Sequence, residues 1–299
     1  MSVSLYTSPT RLTNTRVLRI IACAALCAAW TLGAAAQSDR ERGEYVAIAG
    51  GCVACHSARA ENAVLFAGGR ALKTPFGTFY GPNITPHPES GIGRWSEADF
   101  VRAMREGKRP DGAHYYPAFP YTSYTRISNA DLHALWSYLR SLPPNARKSQ
   151  AHELKFPYNL RFLLWGWKLL YFQPGPAYSD APAATPVERG AYLVNVLSHC
   201  GECHTPRNRL GAPNRDRFLG GGNAPDGTDV PSLMPTRLKE FSDKDLSEFL
   251  TTGTFPDGDI ANESMEEVIT NTTSRLTPAD LAAMIAYLRT VPPVPEGSK

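Results

Sequence analysis

Cysteine is scarce in this 299-residue chain, and the few present fall in only two kinds of place. Cys23 and Cys27 lie in an apolar leader. The other four, Cys52, Cys55, Cys200 and Cys203, form two Cys-x-x-Cys pairs. Nothing is left over for an ordinary structural disulfide, which an exported protein could otherwise form. A membrane-spanning run is also missing: the apolar stretch from Ile20 to Leu32 has 13 residues, whereas crossing a bilayer takes about 20. With Arg11, Arg16 and Arg19 before it and Ala34-Ala35-Ala36 after it, the stretch has the three parts of a secretory leader, and cleavage after Ala36 is expected. An excess of positive charge disappears on the same account. Three of the 31 Lys+Arg belong to the leader and none of the 28 Asp+Glu, leaving 28 against 28. A neutral mature chain gives no case for nucleic-acid binding, which needs a basic patch on the folded domain.

The 263 residues after Ala36 are at the upper limit for one core, and internal repetition shows how they divide. Arg42-Gly43-Glu44-Tyr45-Val46 leads into Cys52-Val53-Ala54-Cys55-His56, and Arg189-Gly190-Ala191-Tyr192-Leu193 leads into Cys200-Gly201-Glu202-Cys203-His204. Downstream, Ser128-Asn129-Ala130-Asp131-Leu132 opens a segment closing on Tyr138-Leu139-Arg140, and Thr277-Pro278-Ala279-Asp280-Leu281 opens one closing on Tyr287-Leu288-Arg289. The offset stays between 147 and 149 residues throughout, which is a duplicated domain. Both copies read as helical. Ser128 with Asp131, Thr277 with Asp280, Ser96 with Asp99 and Ser242 with Asp245 have capping-box spacing, and Leu132, Leu135, Tyr138 and Leu139 recur along one helix face. Long Gly/Pro-rich stretches such as Thr74-Pro75-Phe76-Gly77 and Gly81-Pro82-Asn83-Ile84-Thr85-Pro86 lie between the caps. Loops of that length need something else to fill the domain centre.

Cys-x-x-Cys-His supplies the filling. Its two thiols attach to the vinyl groups of a haem, and the adjacent imidazole is thereby aimed at the iron. Two copies in matched contexts make the signal strong. A structural zinc is the rival, but zinc ribbons separate their pairs by about 15 to 20 residues and here the gap is about 145. A thioredoxin-like pair needs βαβ periodicity, which is lacking. Two covalent haem c groups are therefore expected, on Cys52 and Cys55 with His56, and on Cys200 and Cys203 with His204. The sixth iron ligand tunes potential and access. In the second copy Met265, 65 residues after Cys200 in the loop before the last helix, is the expected ligand; Met234 comes too early, and Met284 sits mid-helix, where core packing is the default. The first copy has Phe119 in the corresponding loop, and phenylalanine cannot bind iron. His114, Met104 and an open site are the alternatives, with His114 preferred. His87, His133, His152 and His199 have no motif context, so surface or packing roles are expected.

From Arg42 to Pro144 and from Arg189 to Pro293 the chain resembles the cytochrome c subunits of membrane-bound bacterial alcohol and gluconate dehydrogenases. The resemblance is carried by the two Cys-x-x-Cys-His sites, Thr74-Pro75-Phe76-Gly77, Asn83-Ile84-Thr85-Pro86, Gly91-Ile92-Gly93-Arg94-Trp95-Ser96, Tyr116-Pro117-Ala118-Phe119-Pro120-Tyr121 and Gly166-Trp167-Lys168-Leu169-Leu170. It departs in two ways: many of those subunits carry three haems, and many have Met where this chain has Phe119, a version similar to cytochromes that accompany molybdenum hydroxylases. What the resemblance implies is a mainly α protein with two tandem class I cytochrome c-like domains, at 37–147 and 187–299, after a leader at 1–36. The linker at 148–186 reads as an apolar aromatic helix and a proline-rich strap. Packing between the domains is the expected role of that helix, and association with the membrane surface is its rival.

The functional expectation is a periplasmic carrier of single electrons, taking them from a dehydrogenase catalytic subunit of the molybdenum hydroxylase or flavin/quinone type toward a quinone or oxidase of the respiratory chain. No side-chain nucleophile or acid–base pair is required for this work. The alternative is a di-haem peroxidase or thiosulfate-oxidising cytochrome with an open or weakly ligated iron in the first domain.

Overall fold

Each copy is built on a crossing of its first and last helices, and the Arg-Gly-x-Tyr signature sits at that crossing. A computed structural model describes residues 38–223 and 227–293; the leader and the residues from Val294 onward lie outside the described residues. In the first copy, helix α1 (residues 38–49) crosses α5 (Asn129–Ser141) at Gly43, where a Cβ would lie 2.0 Å from the Ala134 carbonyl oxygen. In the second, α7 (Pro186–Tyr192), continued by a π turn over Leu193–Leu197, crosses α12 (Pro278–Leu288) at Gly190, with 1.9 Å to the Ala283 oxygen. Only a hydrogen in place of Cβ lets the backbones meet so closely. Between these helices lie α2 (Cys52–His56), α3 (Glu97–Glu106) and α4 (Tyr121–Tyr124) in the first copy, and α8 (Gly201–His204), α9 (Pro235–Leu238), α10 (Asp243–Thr252) and α11 (Glu263–Asn271) in the second. A single apolar cluster runs through both copies, from Val46, Leu132 and Leu135 to Leu193, Leu281 and Met284. Met104 and Met284 are both buried in it.

The caps divide into two kinds. Ser96 with Asp99 and Ser242 with Asp245 are full capping boxes, each side chain bonding the other's backbone N–H. At Ser128 and Thr277 the hydroxyl accepts the N–H of Asp131 or Asp280 as expected, but the carboxylates turn away from the cap. Asp131 accepts from Arg42 of its own copy at 2.7 Å and from Tyr192 of the other at 2.6 Å. Asp280 accepts from Arg189 of its own copy at 2.7 Å and from Tyr45 of the other at 2.6 Å. The signature is thereby explained residue by residue: Arg holds the last helix of its own copy, Gly permits the crossing, and Tyr reaches the partner copy.

These bonds have a pH consequence. Burial by itself raises the Asp280 carboxyl, but the bonds from Arg189 and Tyr45 outweigh it and hold the group below the usual carboxylate range. A lowered folded value stabilises above the unfolded pKa of about 3.9 and is lost as pH falls through the folded value. Asp280→Asn is expected to lower stability at pH 7 by about 2 kcal/mol. In thermal melts across pH, its deficit should close below about pH 4; a deficit that persists there would refute the assignment.

Part of what reads as loop is a small sheet. β1 (Ala71–Thr74) and β2 (Gly77–Tyr80) pair antiparallel in the register Ala71 with Tyr80 and Thr74 with Gly77, and β3 (Glu153–Leu154) adds to β2 opposite Gly77 and Thr78. In the second copy β4 (Gly222–Asn223) pairs with β5 (Asp229–Val230). The linker helix is α6 (Leu163–Tyr171). Its buried residues are Leu164 and Lys168, whose ammonium donates to the carbonyls of Glu106 and Gly107 that end α3. Trp167 donates to Leu210 of the second copy at 2.9 Å. Phe162, Trp165, Leu169 and Leu170 face outward, each at least 66% exposed, so the helix touches both copies yet leaves most of its apolar surface uncovered. The strap that follows lies along the first copy, with the Tyr178 N–H donating to Arg126 and Asp180 accepting from the Ala130 N–H. Among the described residues, no helix is long and apolar enough to cross a membrane.

Candidate haem sites

Both Cys-x-x-Cys-His motifs fold as one short helical turn, α2 and α8, so cysteines three apart and the following histidine come to one side of it. In each turn the imidazole is fixed by a backbone carbonyl. His56 Nδ1 lies 2.8 Å from the Pro82 oxygen, and His204 Nδ1 lies 2.7 Å from the Pro231 oxygen. A carbonyl can only accept, so Nδ1 carries the proton and Nε2 is left with a lone pair. This is the arrangement by which an outer-shell acceptor sets tautomer and ring orientation of an imidazole that binds a metal. The loop beyond each motif repeats as well: Ser57 Oγ accepts the Phe66 N–H at 3.0 Å, Thr205 Oγ1 accepts the Leu219 N–H at 3.0 Å, and the His56 and His204 carbonyls take the N–H of Gly68 and Gly221.

The donor set suits a haem. Cys52, Cys55, His56, Cys200 and His204 are half-buried, yet protein packs closely enough that burial dominates their ionisation. It pushes Cys52 and Cys200 up to about 12 and Cys55 up to about 11, the last helped by the charges of Glu267 and Cys203. It holds both imidazoles below their ordinary value, hence neutral and able to bind iron. Two thiols and one neutral imidazole per turn could anchor a macrocycle and one face of its iron. Ser198 Oγ donates to the Ala49 carbonyl at 3.0 Å, so the segments leading into the two motifs touch.

The expected sixth ligands lie in different settings. Met265 is half-buried, and it sits in the first turn of α11 rather than in a loop, because Asn262 caps that helix by accepting the Met265 N–H at 3.0 Å. α11 packs beside α2 of the first copy. Glu267, two residues on from Met265, accepts from Arg59 at 2.6 Å and Arg70 at 2.7 Å. His114 follows α3, and its carbonyl accepts from Arg161 at 2.7 Å. Its Nδ1 is buried with no hydrogen-bond partner. Burial first, then the charges of Lys168 and Lys108, holds its pKa down. Phe119 packs its ring on Tyr115, Tyr121 and Tyr124. Met104 is buried in the core of α3.

Several participants left no mark in the motif. The carbonyls of Pro82 and Pro231 are backbone groups, invisible to a search by residue type, although the prolines themselves could have been noted. Glu202, inside the second motif, accepts from Thr122 at 2.7 Å and Ser123 at 3.0 Å in α4 of the first copy, and also pairs with Arg207. Burial would raise its carboxyl, but Arg207 and Thr122 hold it down. His199 has the packing role among the two expected of it, stacking on Tyr124 of the first copy. His87, His133 and His152 hold turns, pair with Glu97 and accept from Tyr80 respectively.

Tandem helical domains of this kind, each presenting two thiols and an oriented imidazole from one short turn, define a class of haem-anchoring proteins. The chain belongs to the cytochrome c family, whose model matches residues 40–143 and 187–292, and haem c is that family's cofactor. It is similar to a diheme c-type cytochrome of Cereibacter sphaeroides, 44% identical over 86% of this chain and 87% of that protein. It is also similar to a nicotinate dehydrogenase subunit of Pseudomonas putida, 42% identical over 86% of this chain and 22% of that one. The cytochrome c subunit of a quinone alcohol dehydrogenase from Gluconobacter oxydans is 37% identical over 89% of this chain, which spans 59% of its length.

Proposed function

We propose that the chain is a two-haem electron carrier exported to the periplasm, working beside a dehydrogenase catalytic subunit. One haem c is held covalently by Cys52 and Cys55 with His56 on the iron, the other by Cys200 and Cys203 with His204. The observation that carries this is the pair of Nδ1 contacts to Pro82 and Pro231, which leave both Nε2 atoms free for a metal. When bound, haem supplies a one-electron redox centre, and the protein supplies its position and its potential. Met265 is the sixth ligand of the second site. His114, held neutral and with an orphaned ring nitrogen, is the candidate at the first.

The catalytic partner is of the molybdenum hydroxylase or flavin/quinone type, and a quinone or oxidase receives the electrons. Relatives named as subunits of nicotinate, alcohol and fructose dehydrogenases support such a partner. They do not favour the peroxidase or thiosulfate-oxidising alternative. The test is Met265→Ala. It should lower the second site's midpoint potential, since losing a Met ligand removes what raised it, and let that iron take up cyanide. Redox titration with a cyanide-binding assay reads both, and an unchanged potential with no cyanide uptake would remove Met265 from the site.

A further inference from the structure

The residue just before the first cysteine of each motif has left-handed backbone, with φ of +60° at Gly51 and +40° at His199. Glycine adopts this conformation freely, whereas a residue with a Cβ is strained there by about 1 kcal/mol. The first copy shows that glycine serves at this position, so the second copy carries a strain that its architecture does not demand. Among the described residues, the other left-handed non-glycines are Phe66 and Leu219. They occupy equivalent places in the two copies and make equivalent bonds, to Ser57 and Thr205. His199 alone departs from its counterpart, and its side chain is where the reason lies.

That side chain crosses into the first copy. The His199 imidazole stacks on the Tyr124 ring, with centroids 5.4 Å apart and planes 21° apart. Tyr124 is 5% exposed and fixed in turn, its hydroxyl donating to the Gly50 carbonyl at 2.9 Å. Alongside, Ser198 Oγ donates to the Ala49 carbonyl at 3.0 Å. His199, at one end of the stack, directly precedes Cys200, and Tyr124, at the other, is bonded to the carbonyl of Gly50, two residues before Cys52. In the mirror-related place there is no such bridge: Gly51 has no side chain, and a Cβ there would face only Thr272 Oγ1 at 3.2 Å.

We infer that Tyr124 and His199 are positioning residues that couple the two haem sites, fixing their relative placement and joining the attachment segments through one aromatic stack and the Tyr124 hydrogen bond to Gly50. The inference rests on the reading of both motifs as haem sites. The exchange it serves is a one-electron transfer in which one site is oxidised and the other reduced, with no bond made or broken and no proton moved.

His199→Gly in the matured holoprotein is the test, because it removes the ring while relieving the backbone, so misfolding is not the expected result. Two haems per chain and an unchanged or raised melting temperature are expected. The haem–haem splitting of the Soret circular dichroism should shrink, and electron exchange between the sites after flash reduction should slow several-fold. His199→Phe, which keeps a ring, should recover most of both signals. Unchanged splitting and unchanged exchange in the fully loaded His199→Gly protein would overturn the inference. So would loss of exchange in Ser198→Ala with none in His199→Gly, which would assign the coupling to the backbone hydrogen bond. A native chain carrying fewer than two haems would overturn the underlying reading of the motifs, and this inference with it.

Discussion

The double substitution Cys200→Ser, Cys203→Ser should leave the exported protein with one haem and with a largely unfolded second copy. The first part follows from the chemistry: serine hydroxyls do not form the thioether links, so a haem at that site loses both covalent anchors. The second follows from the composition of the fold. Among the described residues between α8 and α10, the second copy has one four-residue helix, a short 3-10 turn and two strands of two residues. The residues lining that stretch include Leu219, Leu233 and Leu238, which pack onto the common apolar cluster. Removing a cofactor that fills such a centre removes its folding free energy with it, as mass action requires of anything that binds only the native state. The first copy keeps its own motif and its own helix crossing, so its haem should be retained. Haem content by the pyridine haemochrome assay, with limited proteolysis across 205–260, reads both effects. Two haems per chain in the variant would refute the assignment of the second site.

Gly190→Ala is expected to have the next largest effect. A Cβ there would lie 1.9 Å from the Ala283 carbonyl oxygen, 2.6 Å from its carbon and 2.8 Å from Tyr287 Cβ. Two of the three atoms are backbone, so no side chain can swing aside and α7 must lift off α12. Overpacking of this kind costs about 3 kcal/mol, which in a chain of this size lowers the melting temperature by about 6–12 °C. Gly166→Ala is the control. Nothing lies within 4 Å of its Cβ position in α6, and alanine is the better helix former by about 1 kcal/mol. Its melting temperature should stay level or rise. Equal losses in the two variants would mean that helix crossing is not what the glycine serves.

Where sequence signals are local, the structure follows them. Ser96 with Asp99 and Ser242 with Asp245 cap their helices as the spacing implies. The duplicated pattern and the helical character of both copies are legible for the same reason. The signals that mislead answer to distant partners. Asp131 and Asp280 have capping-box spacing, but Tyr192 and Tyr45 claim their carboxylates from 61 and 235 residues away. A pairing of that kind cannot be read from either segment alone. Met265 reads as a loop residue because no Ser or Thr stands three residues before it, whereas Asn262 caps as well as either. The hairpin at Ala71–Tyr80 is hidden by Pro75 and Gly77, turn residues that a loop and a tight hairpin share. His199 is the largest omission. A histidine gives no hint that its backbone is left-handed, and only comparison with Gly51 in three dimensions shows that the position is special.

Everything else depends on iron porphyrins tethered at both motifs, and intact mass of the purified mature protein tests that most directly. The expected result is the processed chain plus two porphyrin masses that survive acid–acetone extraction. A colourless product, a single porphyrin, or colour that extracts into the solvent would contradict it.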